Sequence, residues 1–157
     1  MPIRIMRTDD LPQVLDIQRA LAFQDWNEKQ FTSEINASYA LCVVYEDPGT
    51  PEGTHNGATK GTPAILGYAV FHLMGPDSEL LSIATVAASQ RKGIGTELLQ
   101  AGLTRLDFSA GDKMFLEVRE GNENARAFYE RHGFNAYAKR DGYYSDGETA
   151  ILYRKDQ

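Results

Sequence analysis

The chain is poor in the residues that staple or metallate small proteins. Its 157 residues include one cysteine, Cys42, and three histidines. A lone cysteine closes no internal disulfide, which suits a reducing compartment, and no Cys/His spacing resembles a zinc site, so no metal is expected. Cys42 lies in the apolar run YALCVVY and reads as a small core residue rather than a nucleophile. His55 reads as a loop residue, and His72 and His132 as structural ones. No apolar run is long enough to cross a bilayer, and the opening MPIRIMRTDD is too polar for a secretory leader. A cytoplasmic location without a membrane partner is expected. The net charge of −6 gives no general affinity for a nucleic-acid backbone, so nucleic acid is not an expected partner, while a basic peptide is compatible. A G-x-S-x-G elbow is missing, which leaves a serine hydrolase unsupported.

What is present suits one soluble domain spanning residues 1–157, with 42% apolar and 24% charged residues, enough for one sizeable core. Oligomeric state is not legible. Alternation and helical spacing predict a strand over 3–8 and a helix opening at Asp10-Leu-Pro-Gln13 like a capping box. A second helix opens at Asn27-Glu-Lys-Gln30. Strands follow over 39–45, 64–73 and 79–86, then a helix over 93–108, a strand over 113–119 and a helix over 122–132. Strands over 134–139 and 149–154 close the chain. Residues 46–63 are rich in Gly, Pro and Thr and read as a long flexible hairpin loop. The order implies a mixed α/β (α+β) domain: a central sheet of about seven strands with four flanking helices.

The most informative stretch is 86–95 (VAASQRKGIG), a strand running into a basic, glycine-bearing turn that opens a helix. Gly93 and Gly95 allow close backbone approach, the first helical amides lack partners, and Arg91 and Lys92 add positive charge. That chemistry fits a pyrophosphate. A plain surface loop with two cations fits the glycine pair as well. The dinucleotide fingerprint is excluded because position 98 is Leu where its third glycine belongs, and the P-loop pattern is absent.

Residues 90–95 (QRKGIG) resemble the Q/R-x-x-G-x-G/A acetyl-coenzyme A motif of the GNAT superfamily of N-acetyltransferases. The strand before them is similar to the one preceding that motif. Residues 116–119 (LEVR), Asn122, Ala125 and 128–134 (FYERHGF) resemble a second family block. Residues 142–148 (GYYSDGE) are similar to a segment of the ribosomal-protein-alanine (RimI-type) branch, and Asp25-Trp26 with Phe31 matches that branch more loosely. The link between Val86 and Gln90 is one residue shorter than usual, Thr96 stands where a cation is common, and the 46–63 insertion is long.

The resemblance implies the GNAT fold, with splayed strands holding acetyl-coenzyme A, and transfer of acetyl to an amine. It implies cofactor contacts at Ile83, Ala84, Val86, Arg91, Lys92, Gly93, Ile94, Gly95, Thr96 and Asn122. Asn122 also reads as a helix N-cap. An oxyanion donor is expected from a backbone N–H near Val86. Glu117 lies mid-strand and faces opposite to Leu116 and Val118. A solvated carboxylate and a base facing a cleft both suit that position, and the resemblance implies the base. Tyr129 is either a packing aromatic or, as the resemblance implies, the acid that protonates the departing thiolate; Phe128 reads as the core member of that pair. Trp26, Tyr143 and Tyr144 are candidates for a peptide groove. Asp141, Asp146 and Glu148 are either an attractor for a cationic peptide or a solvated acidic loop. The implied acceptor is a protein N-terminal α-amine, with the alanine terminus of a small-subunit ribosomal protein as the best single candidate. The alternatives are a small-molecule amine and a non-catalytic acyl-coenzyme A sensor.

Overall fold

Strand alternation does most of the folding in the segment KMFLEVR. Met114, Leu116 and Val118 are buried and the residues between them are half-exposed, the period-two pattern of a strand with one face on a core. The structure, a computed structural model, describes residues 2–21, 24–48, 63–89 and 93–157. The strands are β1 (Ile3–Ile5), β2 (Ala40–Glu46), β3 (Ile65–His72), β4 (Asp77–Thr85), β5 (Lys113–Arg119), β6 (Asn135–Arg140) and β7 (Ala150–Lys155). The helices are α1 (Leu11–Leu21), α2 (Glu28–Asn36), α3 (Ile94–Leu103) and α4 (Glu123–Arg131). The strands form a seven-stranded sheet of order β1-β2-β3-β4-β5-β7-β6. Pairs β1–β2, β2–β3, β5–β7 and β6–β7 are antiparallel, and β4 pairs in parallel with β5 at Asp77–Glu79. Among the described residues no helix is long and apolar enough to cross a membrane, and no group of three or more His, Cys, Asp or Glu side chains could hold a metal. The chain resolves into two compact units, residues 1–72 with 82–105 and residues 73–81 with 106–157, so β4 contributes to both.

In the first unit α1, α2 and α3 bury Val14, Phe31, Leu98 and Leu99 with Val44, Tyr68 and Phe71 of the strands. Cys42 is buried there, and desolvation together with the charge of Glu34 pushes its thiol up to about 12, so it stays an inert core residue. Asn27 opens α2 through the expected reciprocal box, Gln30 N–H donating to Asn27 Oδ1 and Asn27 N–H to Gln30 Oε1. The expected box at Asp10 is absent. Its carboxylate accepts the Arg7 N–H at 2.8 Å and the two terminal guanidinium nitrogens of Arg4, Nη1 and Nη2, at 2.9 Å. This closes a 3-10 turn over Thr8–Asp10 and cuts the first strand to three residues. Gln13, freed from the box, bridges to Ile65 N–H and Pro63 C=O.

The second unit packs α4 on β5 and β7 around Leu116, Val118, Tyr129, Phe134 and Tyr153. The Tyr153 hydroxyl accepts from Arg126 Nε at 3.0 Å and donates to Glu130 at 2.7 Å. β6 is exposed along its whole length and carries a register shift between Ala136 and Ala138. The helix expected over 93–108 ends at Leu103. Asp107 instead caps a separate 3-10 turn, Phe108–Ala110, which Gly111 closes at positive φ. Of the expected loop, residues 49–62 (including His55) lie outside the described residues.

Gly102 sets the approach of α3 to β3. A Cβ built there would fall inside the ring of Phe71, which is fully buried. Alanine normally gains about 1 kcal/mol over glycine in a helix, but overpacking a filled core costs about 1–3 kcal/mol. Gly102→Ala is therefore expected to lose up to about 2 kcal/mol in urea unfolding; a higher midpoint would show that Phe71 yields freely.

Candidate functional site

The glycine turn has the backbone that its composition calls for. Gly93 caps α3 at φ 80°, in the left-handed region, with nothing near the position of a Cβ. Ile94 points its side chain into the core, so only its amide faces the turn; Gly95 and Thr96 are half-exposed in the first helical turn. The helix dipole favours an anion at that turn. Arg91 and Lys92, with Gln90, lie outside the described residues.

The end of β4 narrows one expectation, that of an oxyanion donor near Val86. Val86 N–H donates to Leu66 C=O at 2.9 Å, so this amide is taken up by β3 and is not the oxyanion donor. The Ala84 carbonyl lies against Gly67 on the same side, and the Ala84 side chain is buried. Strand alternation then turns the N–H and C=O of Ile83 and Thr85 to the other edge of β4. Thr85 was missed in the sequence because the strand was read as ending at Val86, one residue too late.

Glu117 sits on β5 opposite Leu152, while its neighbour Leu116 pairs with Tyr153. α4 grips Tyr153, so Glu117 projects from the face of β5 opposite to α4. Its carboxylate is 28% exposed and lies 3.8 Å from Arg140 Nη1. Arg140 also lies over the Tyr143 ring at 5.4 Å, and Arg119 over the Tyr144 ring at 4.1 Å. The two tyrosine rings meet edge-on at 5.2 Å. Burial, with the nearby Glu117 charge, pushes the Tyr144 phenol above its ordinary value. Sequence reading missed Arg140: only the β5–β7–β6 register brings it near Glu117, and no local motif marks it. The same fold assigns the acidic residues of the turn. Asp146 and Glu148 are paired with Arg119 at 2.9 and 3.0 Å, and Glu148 also accepts the Gly121 N–H. One guanidinium thus serves both carboxylates, and Asp146 stays exposed. Asp141 lies 3.9 Å from Lys139.

Tyr129 is buried on α4 against Phe128 and Phe134, with ring centroids 5.3 and 5.8 Å away. Phe128 is the more exposed of the pair, the reverse of the expectation, because α4 turns Tyr129 toward Phe134. Desolvation holds the Tyr129 phenol well above its usual range, so it keeps its proton through neutral pH. Its hydroxyl has no hydrogen-bond partner among the described residues. Asn122 is the N-cap of α4, accepting the Ala125 N–H at 3.2 Å. His132 closes the same helix through Phe128 C=O, and His72 is bonded to Glu34; both are structural.

In the first unit Trp26 is half-buried, stacked at 5.1 Å on Phe31. Buried Gln18 holds its backbone at both ends, donating to Trp26 C=O at 2.8 Å and accepting Trp26 N–H at 3.1 Å.

Comparison with known proteins shows the family. The sequence pattern of the Acetyltransferase (GNAT) family matches residues 11–134. The chain is 33% identical over 154 residues to the ribosomal protein bS18-alanine N-acetyltransferase of Escherichia coli strain K12, covering 96% of this chain and 93% of that protein. It is 29% identical over 161 residues to an N-alpha-acetyltransferase of Saccharolobus solfataricus, covering 96% and 89%. The crystal structure of the Escherichia coli ribosomal-protein-S18-alanine N-acetyltransferase superposes with a TM-score of 0.78 at 28% identity, over 98% of this chain and 91% of that one. The chain belongs to the GNAT family of acetyltransferases and is an acetyl-coenzyme A-dependent N-acetyltransferase.

Proposed function

We propose that residues 1–157 act as one catalytic domain in the cytoplasm, acetylating the N-terminal α-amine of a protein. The alanine terminus of a small-subunit ribosomal protein is the best single acceptor. The observation that carries this reading is the arrangement about β5: a half-exposed carboxylate, Glu117, on one face, and on the other a buried phenol, Tyr129, with no partner among the described residues. A buried hydroxyl left without a bond is costly, and a thiolate is an acceptor that would satisfy it. The names of the bacterial and archaeal relatives support an α-amine as acceptor.

Acetyl-coenzyme A supplies an activated thioester. The first-turn amides of α3 at Ile94, Gly95 and Thr96, with Gly93 and the cations Arg91 and Lys92, would hold its diphosphate. The edge of β4 at Ile83 and Thr85, facing away from β3, would hold its extended arm, with Val86 contributing a side chain and Asn122 a contact at α4, while the buried Ala84 backs that edge. A protein α-amine has a pKa near about 8 and a lysine side chain near about 10.4, so the former gives up its proton far more readily at neutral pH. Glu117 takes that proton, directly or through water. An edge amide of β4, Thr85 in place of Val86, donates to the acyl oxygen as it gains negative charge. Tyr129, kept protonated by burial, donates its O–H to the departing sulfur as negative charge builds there. Tyr143, Tyr144 and Trp26 would line the acceptor's path.

A short peptide beginning with alanine is expected to release thiol from acetyl-coenzyme A, and the same peptide blocked at its N-terminus but carrying a lysine is not. Turnover of polyamines or amino acids with no turnover of such peptides would replace the protein acceptor by a small molecule. Glu117→Gln should lower kcat at pH 7 by about 10²-fold or more, as loss of a general base does, while calorimetry still detects acetyl-coenzyme A; full activity would remove Glu117 from the mechanism. Tyr129→Phe should slow turnover by a similar order of magnitude. It deletes only an unpartnered hydroxyl, so its Tm should not fall, and an unchanged kcat would refute the acid role.

A further inference from the structure

Gln18 is almost fully buried, 2% exposed, yet it spends its whole carboxamide on one residue of the segment between α1 and α2. Its two ends take the N–H and the C=O of Trp26, as a neighbouring strand would. A core that only needed filling is served at lower desolvation cost by leucine or methionine. A second tether holds the same segment. The Ser82 hydroxyl, 3% exposed and midway along the inner half of β4, bonds to Gln24 Oε1 at 2.6 Å and lies 3.1 Å from the Tyr68 hydroxyl. Tyr68 in turn meets Phe31 edge-on at 5.7 Å, and Phe31 carries the Trp26 indole. The loop from Gln24 to Trp26 is thus fixed by two hydrogen-bonded tethers and one aromatic stack, all anchored in the core of the first unit. Asn27 then starts α2 with its own cap.

We propose that Gln18 and Ser82 are positioning residues for acceptor binding: they hold the Gln24–Trp26 backbone so that the Trp26 indole is presented to the peptide in one orientation. This rests on the reading that Trp26 lines the acceptor path. Neither residue touches the reacting atoms, so their loss acts on the acceptor's KM and leaves the chemical step and the acetyl-coenzyme A side alone.

The test is steady-state kinetics of the full chain with an alanine-starting peptide, varying each substrate in turn, for Gln18→Met, Gln18→Glu, Ser82→Ala and Trp26→Ala. Gln18→Met keeps the volume and removes both bonds. It is expected to raise the peptide KM about fivefold to tenfold, the scale of one or two lost hydrogen bonds, with kcat and the acetyl-coenzyme A KM within about twofold. Gln18→Glu keeps an acceptor for the Trp26 N–H but sets its second oxygen against the Trp26 C=O, so it should regain a low peptide KM only as falling pH protonates the carboxyl and restores a donor, which a purely space-filling role would not produce. Ser82→Ala should move the same constant by a smaller factor. An unmoved peptide KM in Gln18→Met and Ser82→Ala, with a raised one in Trp26→Ala, would overturn the positioning role while keeping Trp26 in the acceptor site. Equal losses in kcat and both KM values would also overturn it, as general damage. An unmoved KM in Trp26→Ala would remove the reading beneath it and the proposal together, leaving acetyl transfer itself intact. Should Gln18→Met fail to fold, Ser82→Ala carries the same comparison.

Discussion

The period-two alternation of β5 is the constraint on which the candidate chemistry depends. One strand must bury Met114, Leu116 and Val118 and so cannot avoid turning Glu117 and Arg119 to its other face. A slip of one residue would place a carboxylate and a guanidinium in the core, at a cost far above any surface contact. The hydrophobic effect therefore sets the direction of the proposed base without a dedicated interaction. The same register through β7 fixes Tyr153, whose hydroxyl ties α4 in place and orients Tyr129.

A second theme is the use of buried polar side chains at connections rather than within elements. Asp10 closes the turn before α1, Gln13 ties α1 to the start of β3, and Gln18 holds the segment before α2. Each satisfies backbone groups that a loop crossing a core would otherwise leave unmade. Asp10 shows how closely such terms balance. Desolvation alone would raise its pKa, but the Arg4 guanidinium and the Arg7 amide outweigh it and bring it below the ordinary value. By linkage this group adds stability above the unfolded carboxylate pKa and loses it as the pH falls through the folded one.

On the other face of β5, charge is distributed unevenly. Arg119 is committed to Asp146 and Glu148, which shape the turn between β6 and β7, whereas Arg140 has a long contact with Glu117 and an aromatic neighbour. Asp146 and Glu148, which look in the sequence like an attractor for basic peptides, share the single guanidinium of Arg119 on β5. The exposed ring of Tyr143 remains as the more accessible feature of that surface.

The order of strands and helices, the cap at Asn27, the strand 113–119 and the glycine-bearing turn that opens α3 were all legible in the sequence. Each depends on local periodicity or on the conformational freedom of a single residue. The family was legible for a related reason: its motifs are short, local and spaced along the chain. Three features were not. The direction of the Val86 amide depends on which neighbour β4 pairs with. The exchange of burial between Phe128 and Tyr129 depends on where α4 meets Phe134. The approach of Arg140 to Glu117 depends on a register across two strand pairs. Local sequence determined what each segment becomes and which residue types the site contains. Tertiary structure decided which backbone groups are already spent, which phenol is left without a partner and which charges face one another, because these depend on partners distant in sequence that no local pattern encodes.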